Sequence, residues 1–158
     1  MIDLNVWIFV LIRRHFVNTA VIDIGSNTVK FTVFSESAEA VFSEARPLGL
    51  IGLTEAGTSS ISKRGVELLT ETIDKFVQSA LCHGCSRGSV YLFATAAPRA
   101  ASNSSAVKDA VRKKTGYDID IISGEKKAEL SYNGMLFANN FIADTGFLTD
   151  LGGGSCEV

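Results

Sequence analysis

Apolar and polar residues alternate through "AVIDI", "VKFTVFS" and "EAVFSEARPL", and this period of two predicts three consecutive strands between residue 20 and about residue 48. The connections between them are short, so the three strands are expected to form an antiparallel meander. After a glycine-rich connection, "GLIGLTEAG", the period changes. Leu69, Ile73, Phe76, Val77, Ala80 and Leu81 recur at helical spacing and predict a helix from about Ser60 to Cys82, with serines ahead of it as caps. "SVYLFATAA" reads as a buried strand. Asn103 is expected to cap a helix through "SSAVKDAVRKKTG", in which Val107 and Val111 lie one turn apart and Gly116 is the stop. "DIDII" predicts a short strand, "GEKKAELSYNGMLFA" a helix and "TGFLTDL" a last strand. The order implies an α/β fold: a mixed sheet of three antiparallel strands followed by alternating helices and parallel strands, with helices covering the faces.

Composition adds limits. A chain of 158 residues, 46% hydrophobic and 20% charged, suits one soluble domain with a sizeable core. A net charge of −2 produces no general attraction to nucleic acid or to an anionic membrane, so neither is expected as a partner and any polyanion must be held locally. The opening segment is apolar from Val6 to Ile12, too short to span a bilayer, and its basic pair follows the apolar run instead of preceding it. Residues 1–18 are therefore expected to be an extension and not an export signal. They read as an extra strand, or as the product of an upstream start codon with the natural chain beginning near Val17.

Three cysteines, Cys82, Cys85 and Cys156, are an odd number without a secretory signal, which points to a reducing cytoplasm. "CHGC" has the spacing of redox and zinc sites around His83, but zinc needs two more ligands, and only His15 and Cys156 remain, far off in sequence. Free thiols at a helix end, with Gly84 as the stop, are the simpler expectation.

Two stretches carry the candidate chemistry. "VIDIGSNTVKF" (21–31) and "LTDLGGGSCEV" (148–158) superpose without a gap, Asp23 on Asp150, Gly25 on Gly152 and Thr28 on Ser155. Each is an apolar strand that delivers an aspartate, turns at small residues, presents a hydroxyl and returns as a strand. Small residues let backbone N–H groups approach a phosphate oxygen closely, and an aspartate at the strand end suits a divalent cation. The pair reads as two phosphate clasps. Neither GxxxxGK[ST] nor GxGxxG occurs, so the common nucleotide loops do not explain them.

With "ATAAPRAASN" (94–103) and "IISGEKKAEL" (121–130), these stretches resemble, in order, four segments of the exopolyphosphatase and guanosine-pentaphosphate phosphohydrolase (Ppx/GppA) family, within the actin-like ATPase superfamily. The resemblance covers about Ala20 to Val158. It implies a ribonuclease-H-like lobe over residues 19–147, with residues 148–158 as the first strand and phosphate loop of a second, truncated lobe. It also implies substrate phosphates lying between two such lobes, with water attacking the terminal phosphorus. Backbone groups of Gly25, Ser26, Asn27 and Thr28, and of Gly152, Gly153, Gly154 and Ser155, would clasp phosphoryl oxygens. Arg99 would offer a bidentate fork, and Asp23 and Asp150 would hold Mg2+. The substrate implied is inorganic polyphosphate or guanosine pentaphosphate, the compartment the cytoplasm, and a homodimer of the full-length form is left open.

One position departs from the family. Its general base is the second of two adjacent glutamates, and the alignment sets Lys126 and Lys127 there. An ammonium cannot accept a proton unless burial lowers its pKa by several units. Glu125, with Glu129 one helical turn further on, and Glu157 are the carboxylates in reach of that role, and weak or absent hydrolysis is expected. Two other readings stay open: a sugar- or acetate-kinase-type ATPase fragment, and a non-catalytic phosphate- or polyphosphate-binding module. Arg112, Lys113, Lys114, Lys126 and Lys127 read either as a track for polyphosphate or as solvated helix faces.

Overall fold

The computed structural model describes residues 17–139, 150–151 and 156–157. The alternating segments form β1 (Asn18–Ile24), β2 (Thr28–Phe34) and β3 (Ala40–Pro47), paired antiparallel in sequence. β4 (Cys85–Ala94) and β5 (Ile119–Ile121) join in parallel on the other side of β1, giving the order β3-β2-β1-β4-β5. This is the mixed sheet expected. Four helices accompany it among the described residues: α1 (Lys63–Cys82), α2 (Ala96–Ala100), α3 (Ser104–Thr115) and α4 (Gly124–Asn139). A separate hairpin, β6 (Asp150–Leu151) and β7 (Cys156–Glu157), lies with β7 against α4.

The period of two decides which side chains are buried. Ala20, Ile22 and Ile24 of β1, Val29, Phe31 and Val33 of β2, and Val90, Leu92 and Ala94 of β4 lie on one face, sealed by Leu69, Ile73, Phe76, Val77 and Ala80 of α1 and Val107 and Val111 of α3. Phe31 is the hub. Its ring stacks on Phe76 with centroids 5.0 Å apart and meets Phe42 of β3 at 5.7 Å, so three elements close on one aromatic cluster. The intervening residues, among them Val21, Asp23, Lys30 and Tyr91, face the other way and are half-buried or exposed.

Several boundaries differ from those expected, each for a local reason. β1 begins at Asn18, inside the expected extension, because the Asn18 side chain donates to the His83 carbonyl (2.7 Å) and its own carbonyl accepts from the Ser89 hydroxyl (2.8 Å). α1 begins at Lys63, where the Ser62 hydroxyl accepts from the Gly65 N–H and caps the first turn. β4 starts four residues before the expected Ser89, but its ladder with β1 is broken between Asn18↔Cys85 and Ala20↔Val90, so "SRGS" is a bulge held by Ser89 and the regular pairing begins at Val90. The strand ends at Ala94, and Ala96–Ala100 turns as α2, which an apolar run could not reveal.

Asn103 sits at the start of α3 but does not cap it. Its side chain instead accepts from the Ile61 N–H (2.9 Å) and donates to the Ile61 carbonyl (2.8 Å), clamping a distant loop. Gly116 ends α3 as expected. Cys85 is buried as the first residue of β4 and Cys82 is exposed; both are free thiols, and burial pushes the Cys85 thiol up.

Gly65 is required by packing. A Cβ there would stand 2.8 Å from Ile61 Cγ2 and 3.0 Å from the Leu53 carbonyl, so α1 approaches the preceding loop as closely as a backbone can. Tyr117 carries the opposite kind of signal. Its ring packs on the core, but its hydroxyl is buried without a hydrogen-bond partner among the described residues. Tyr117→Phe should raise stability by about 1 kcal/mol, since an unsatisfied buried hydroxyl costs on the order of 1–3 kcal/mol. Urea unfolding measures this, and a fall in the midpoint would mean that the hydroxyl does find a partner.

Candidate functional site

β1, β4 and β5 run parallel, so their carboxyl ends meet at one edge of the sheet, where open α/β sheets place their ligand crevice. Three connections leave that edge: Gly25–Asn27 after β1, Thr95 into α2 after β4, and Ile122–Ser123 into α4 after β5. Hydrogen bonds stitch them together. The Thr95 N–H donates to the Ile24 carbonyl (3.1 Å), with its hydroxyl at 3.4 Å from the same oxygen, and the Ile122 N–H donates to the Ala94 carbonyl (3.1 Å).

The β1–β2 turn is closed by the Gly25 N–H on the Thr28 carbonyl (3.0 Å). A Cβ on Gly25 would stand 2.9 Å from that carbonyl oxygen, which leaves room only for glycine. The Ser26 carbonyl accepts from Ile51 (3.1 Å), and the Asn27 carbonyl accepts from Leu48 and Gly49 (both 2.8 Å). In a trans peptide the N–H points opposite to the carbonyl, so the N–H groups of Asn27 and Thr28 are turned away from residues 48–51. The loop is thus pre-set by its carbonyl bonds to residues 48–51.

Arg99 rides on the one-turn helix α2, and its Nη1 donates to the Ile122 carbonyl (3.1 Å). That bond holds the guanidinium across the ends of β4 and β5. α4 opens with the Ser123 hydroxyl accepting from the Lys126 N–H (3.1 Å) and the Ser123 carbonyl from the Lys127 N–H (3.0 Å), an N-cap arrangement. Glu125, in the first turn, has its carboxyl held below the usual range by its own backbone N–H, then by the Ser123 hydroxyl, with Arg99 adding to the effect. A lowered pKa makes Glu125 a weaker proton acceptor. Glu129, one turn on, is held by Lys126 Nζ with both carboxylate oxygens at 3.0 Å.

The structure therefore brings together Gly25, Ser26, Asn27, Thr28, Arg99, Glu125 and Lys127, on the three connections at one edge or the helix turn that follows them. Asp23 is the penultimate residue of β1, on the sheet face away from the core. Asp150 and Glu157 are opposite each other in the β6–β7 hairpin, and their side chains, with Gly152, Gly153, Gly154 and Ser155, lie outside the described residues. Arg112 pairs with Asp118, Lys114 Nζ lies 3.9 Å from Asp74 and Lys126 holds Glu129, so three of the five supposed basic track residues serve surface pairs.

Sequence reasoning passed over two residues. Lys30 is directly opposite Asp23 in the β1–β2 ladder and shares its face; the alternation could have revealed it, since two strands joined by a tight turn place such positions side by side. Thr95 is buried and ties the ends of β1 and β4 together, which needs the parallel pairing to be known. Among the described residues no three His, Cys, Asp or Glu side chains group as a metal cage, and no helix is long and apolar enough to cross a membrane.

Known proteins resemble this chain in sequence and in fold. The sequence pattern of the Ppx/GppA phosphatase family matches residues 31–158. The chain is 36% identical over 144 residues to Exopolyphosphatase 1 of Mycobacterium tuberculosis (strain ATCC 25618 / H37Rv), covering 87% of this chain and 40% of that protein. It is 31% identical over 142 residues to Exopolyphosphatase 1 of Mycobacterium leprae (strain TN), covering 87% and 41%. The chain thus spans about two fifths of the length of these relatives. Among solved structures it superposes on an exopolyphosphatase from Cytophaga hutchinsonii ATCC 33406 with a TM-score of 0.78 at 25% identity, covering 88% of this chain and 45% of that one. An Aquifex aeolicus Ppx/GppA phosphatase superposes with a TM-score of 0.77 at 21% identity, covering 89% and 46%, a likeness of fold.

Proposed function

This chain belongs to the Ppx/GppA phosphatase family, and from that premise we propose that it supplies one wall of a phosphohydrolase site that releases terminal phosphate from inorganic polyphosphate or guanosine pentaphosphate. The observation that carries the reading is the meeting of the Gly25–Thr28 turn, Arg99 and the first turn of α4 at the carboxyl edge of the parallel strands. Phosphoryl transfer asks little covalent chemistry of a protein; it asks for positioning and for charge neutralisation around phosphorus. Backbone N–H groups of the turn would bind non-bridging oxygens, and Arg99 would add a planar, charged fork. A second lobe would provide the opposing wall, with Gly152–Ser155 as its clasp.

Mg2+ fits the donor set. It is commonly held by one or two carboxylates together with water and substrate oxygens, so Asp23 and Asp150 would suffice, and the ion would supply charge neutralisation at the phosphoryl oxygens. Asp23 and Lys30, side by side across β1 and β2, bring one anion and one cation to the same face. The cytoplasm is the compartment we assign, on the odd count of three cysteines, which cannot all pair within the chain.

A second reading, a phosphate-binding module without turnover, is favoured by one feature. The position of the family's base is Lys127, and the neighbouring Glu125 and Glu129 are each engaged elsewhere, Glu125 with a lowered pKa. Calorimetry with long-chain polyphosphate, paired with a phosphate-release assay, separates the two: binding with turnover supports the hydrolase, binding without it the module, and no binding removes both. With the chain joined to a second lobe, Lys127→Glu should raise phosphate release by about 10²-fold or more, the usual scale for a placed general base. An unchanged rate would move the base to another carboxylate, with Glu157 the first to test.

A further inference from the structure

Residues 53–62 fold back on themselves as a small, tightly bonded hairpin that no repeating pattern in the sequence announces. The Ser62 N–H donates to Leu53 (2.8 Å), Thr54 bridges Ile61, the Glu55 N–H donates to Ser60 (2.9 Å), and the tip turns through Thr58 onto the Glu55 carbonyl (3.0 Å). Asn103 grips Ile61 at both backbone atoms, and the Ser60 and Ser102 hydroxyls meet at 2.9 Å. The hairpin is thereby fastened to the α2–α3 junction. Between it and α2 lies a cavity of about 290 Å3, floored by Leu50 and Ile61, walled by Ala96, Ala97 and Ala100, with Thr54 and Ser59 at its mouth and Ser26 among its lining residues.

Three features of this cavity bear on what it can hold. No ionisable side chain lines it, so it is not a continuation of an anion track. Its walls are fixed by hydrogen bonds on both sides, so little ordering cost would accompany binding. Ser26 is 5% exposed, and its hydroxyl has no hydrogen-bond partner among the described residues, an unused donor and acceptor in a pocket otherwise lined by methyl groups and the hydroxyls near its mouth. Apolar walls with a few hydroxyls, at the small end of the roughly 300–1,000 Å3 of ligand sites, match an uncharged ring that bears hydroxyl groups.

We infer that this cavity is a binding site for an uncharged sugar ring, a pentose free or within a nucleoside, held by Ser26 and Thr54 against the alanine face of α2. It is separate from the anion-binding role of the Gly25–Thr28 turn but shares Ser26 with it. An occupant touches both that turn and the helix that carries Arg99, so sugar binding and phosphate binding are coupled, each changing the other's affinity by the same factor.

The test uses this chain in amide-resolved NMR, titrated separately with ribose, adenosine and tripolyphosphate. Ribose or adenosine is expected to shift the amides of Ser26, Thr54 and Ala97 saturably. Saturation by ribose assigns the site to the sugar alone, and saturation by adenosine only assigns it to a nucleoside. Ala100→Phe, a change at an exposed position on the cavity wall, should weaken that binding at least about tenfold while tripolyphosphate still binds; Thr54→Val should weaken it less. The inference is overturned if neither neutral probe gives saturable shifts, if the shifts map elsewhere, or if Ala100→Phe leaves the affinity unchanged. Failure of tripolyphosphate to bind would count against the phosphohydrolase reading and leave the sugar site standing.

Discussion

Arg99→Ala is expected to weaken tripolyphosphate binding by about tenfold to a hundredfold, because a hydrogen bond to a charged group contributes on the order of 1.5–3 kcal/mol and a fork can make two. Arg99 reaches the site from a one-turn helix and is steadied by the Ile122 carbonyl at 3.1 Å, so part of its guanidinium is committed to orientation. Its loss removes a cation and loosens the junction of β4 and β5 together. Arg99→Lys separates these contributions: the charge remains, the planar fork does not, and an intermediate affinity is expected. Calorimetry with a melting curve for each variant is the measurement. Equal affinities across wild type, Lys and Ala would show that Arg99 serves the fold and makes no phosphate contact.

Phe31→Ala should cost about 3–5 kcal/mol, a large part of the 5–15 kcal/mol that holds a typical domain folded. Phe31 is fully buried, stacks on Phe76 of α1 and touches Phe42 of β3, so its removal leaves a cavity bounded by two other large rings that cannot both move in to fill it. Phe31→Leu, which keeps most of the volume, should cost clearly less, about 1–2 kcal/mol. Urea unfolding distinguishes them. If the alanine variant melted within about 1 kcal/mol of wild type, the cluster would not be the centre of the core.

The places where the sequence was a good guide share a cause. Strands β1 to β3 and helices α1, α3 and α4 are readable because their side chains must satisfy a period set within the segment itself, and Gly116 stops α3 by a property of its own backbone. The motif residues after β1, β4 and β5 were legible as chemistry, since a glycine turn, an arginine and a serine-capped helix start each carry a local meaning. The misreadings also share a cause. By position Asn103 reads as the cap of its own helix, yet its two side-chain hydrogen bonds go to Ile61, 42 residues away. The early start of β4 depends on Asn18 and Ser89 meeting across a bulge. The hairpin at 53–62 has no periodic pattern, because it is held by backbone bonds whose partners any sequence could provide.

By itself the sequence determined the mixed α/β order, the residues of the buried face and the family, since each is encoded in segments a few residues long or in their succession. Only the tertiary structure decided that Arg99 leans on Ile122, that Glu125 is held below its usual pKa, that Lys30 stands beside Asp23, and that a neutral cavity lies behind Ser26. Each of these depends on groups brought together by strand pairing or chain turns, and side-chain periodicity records which face a residue takes but not which neighbour it meets there.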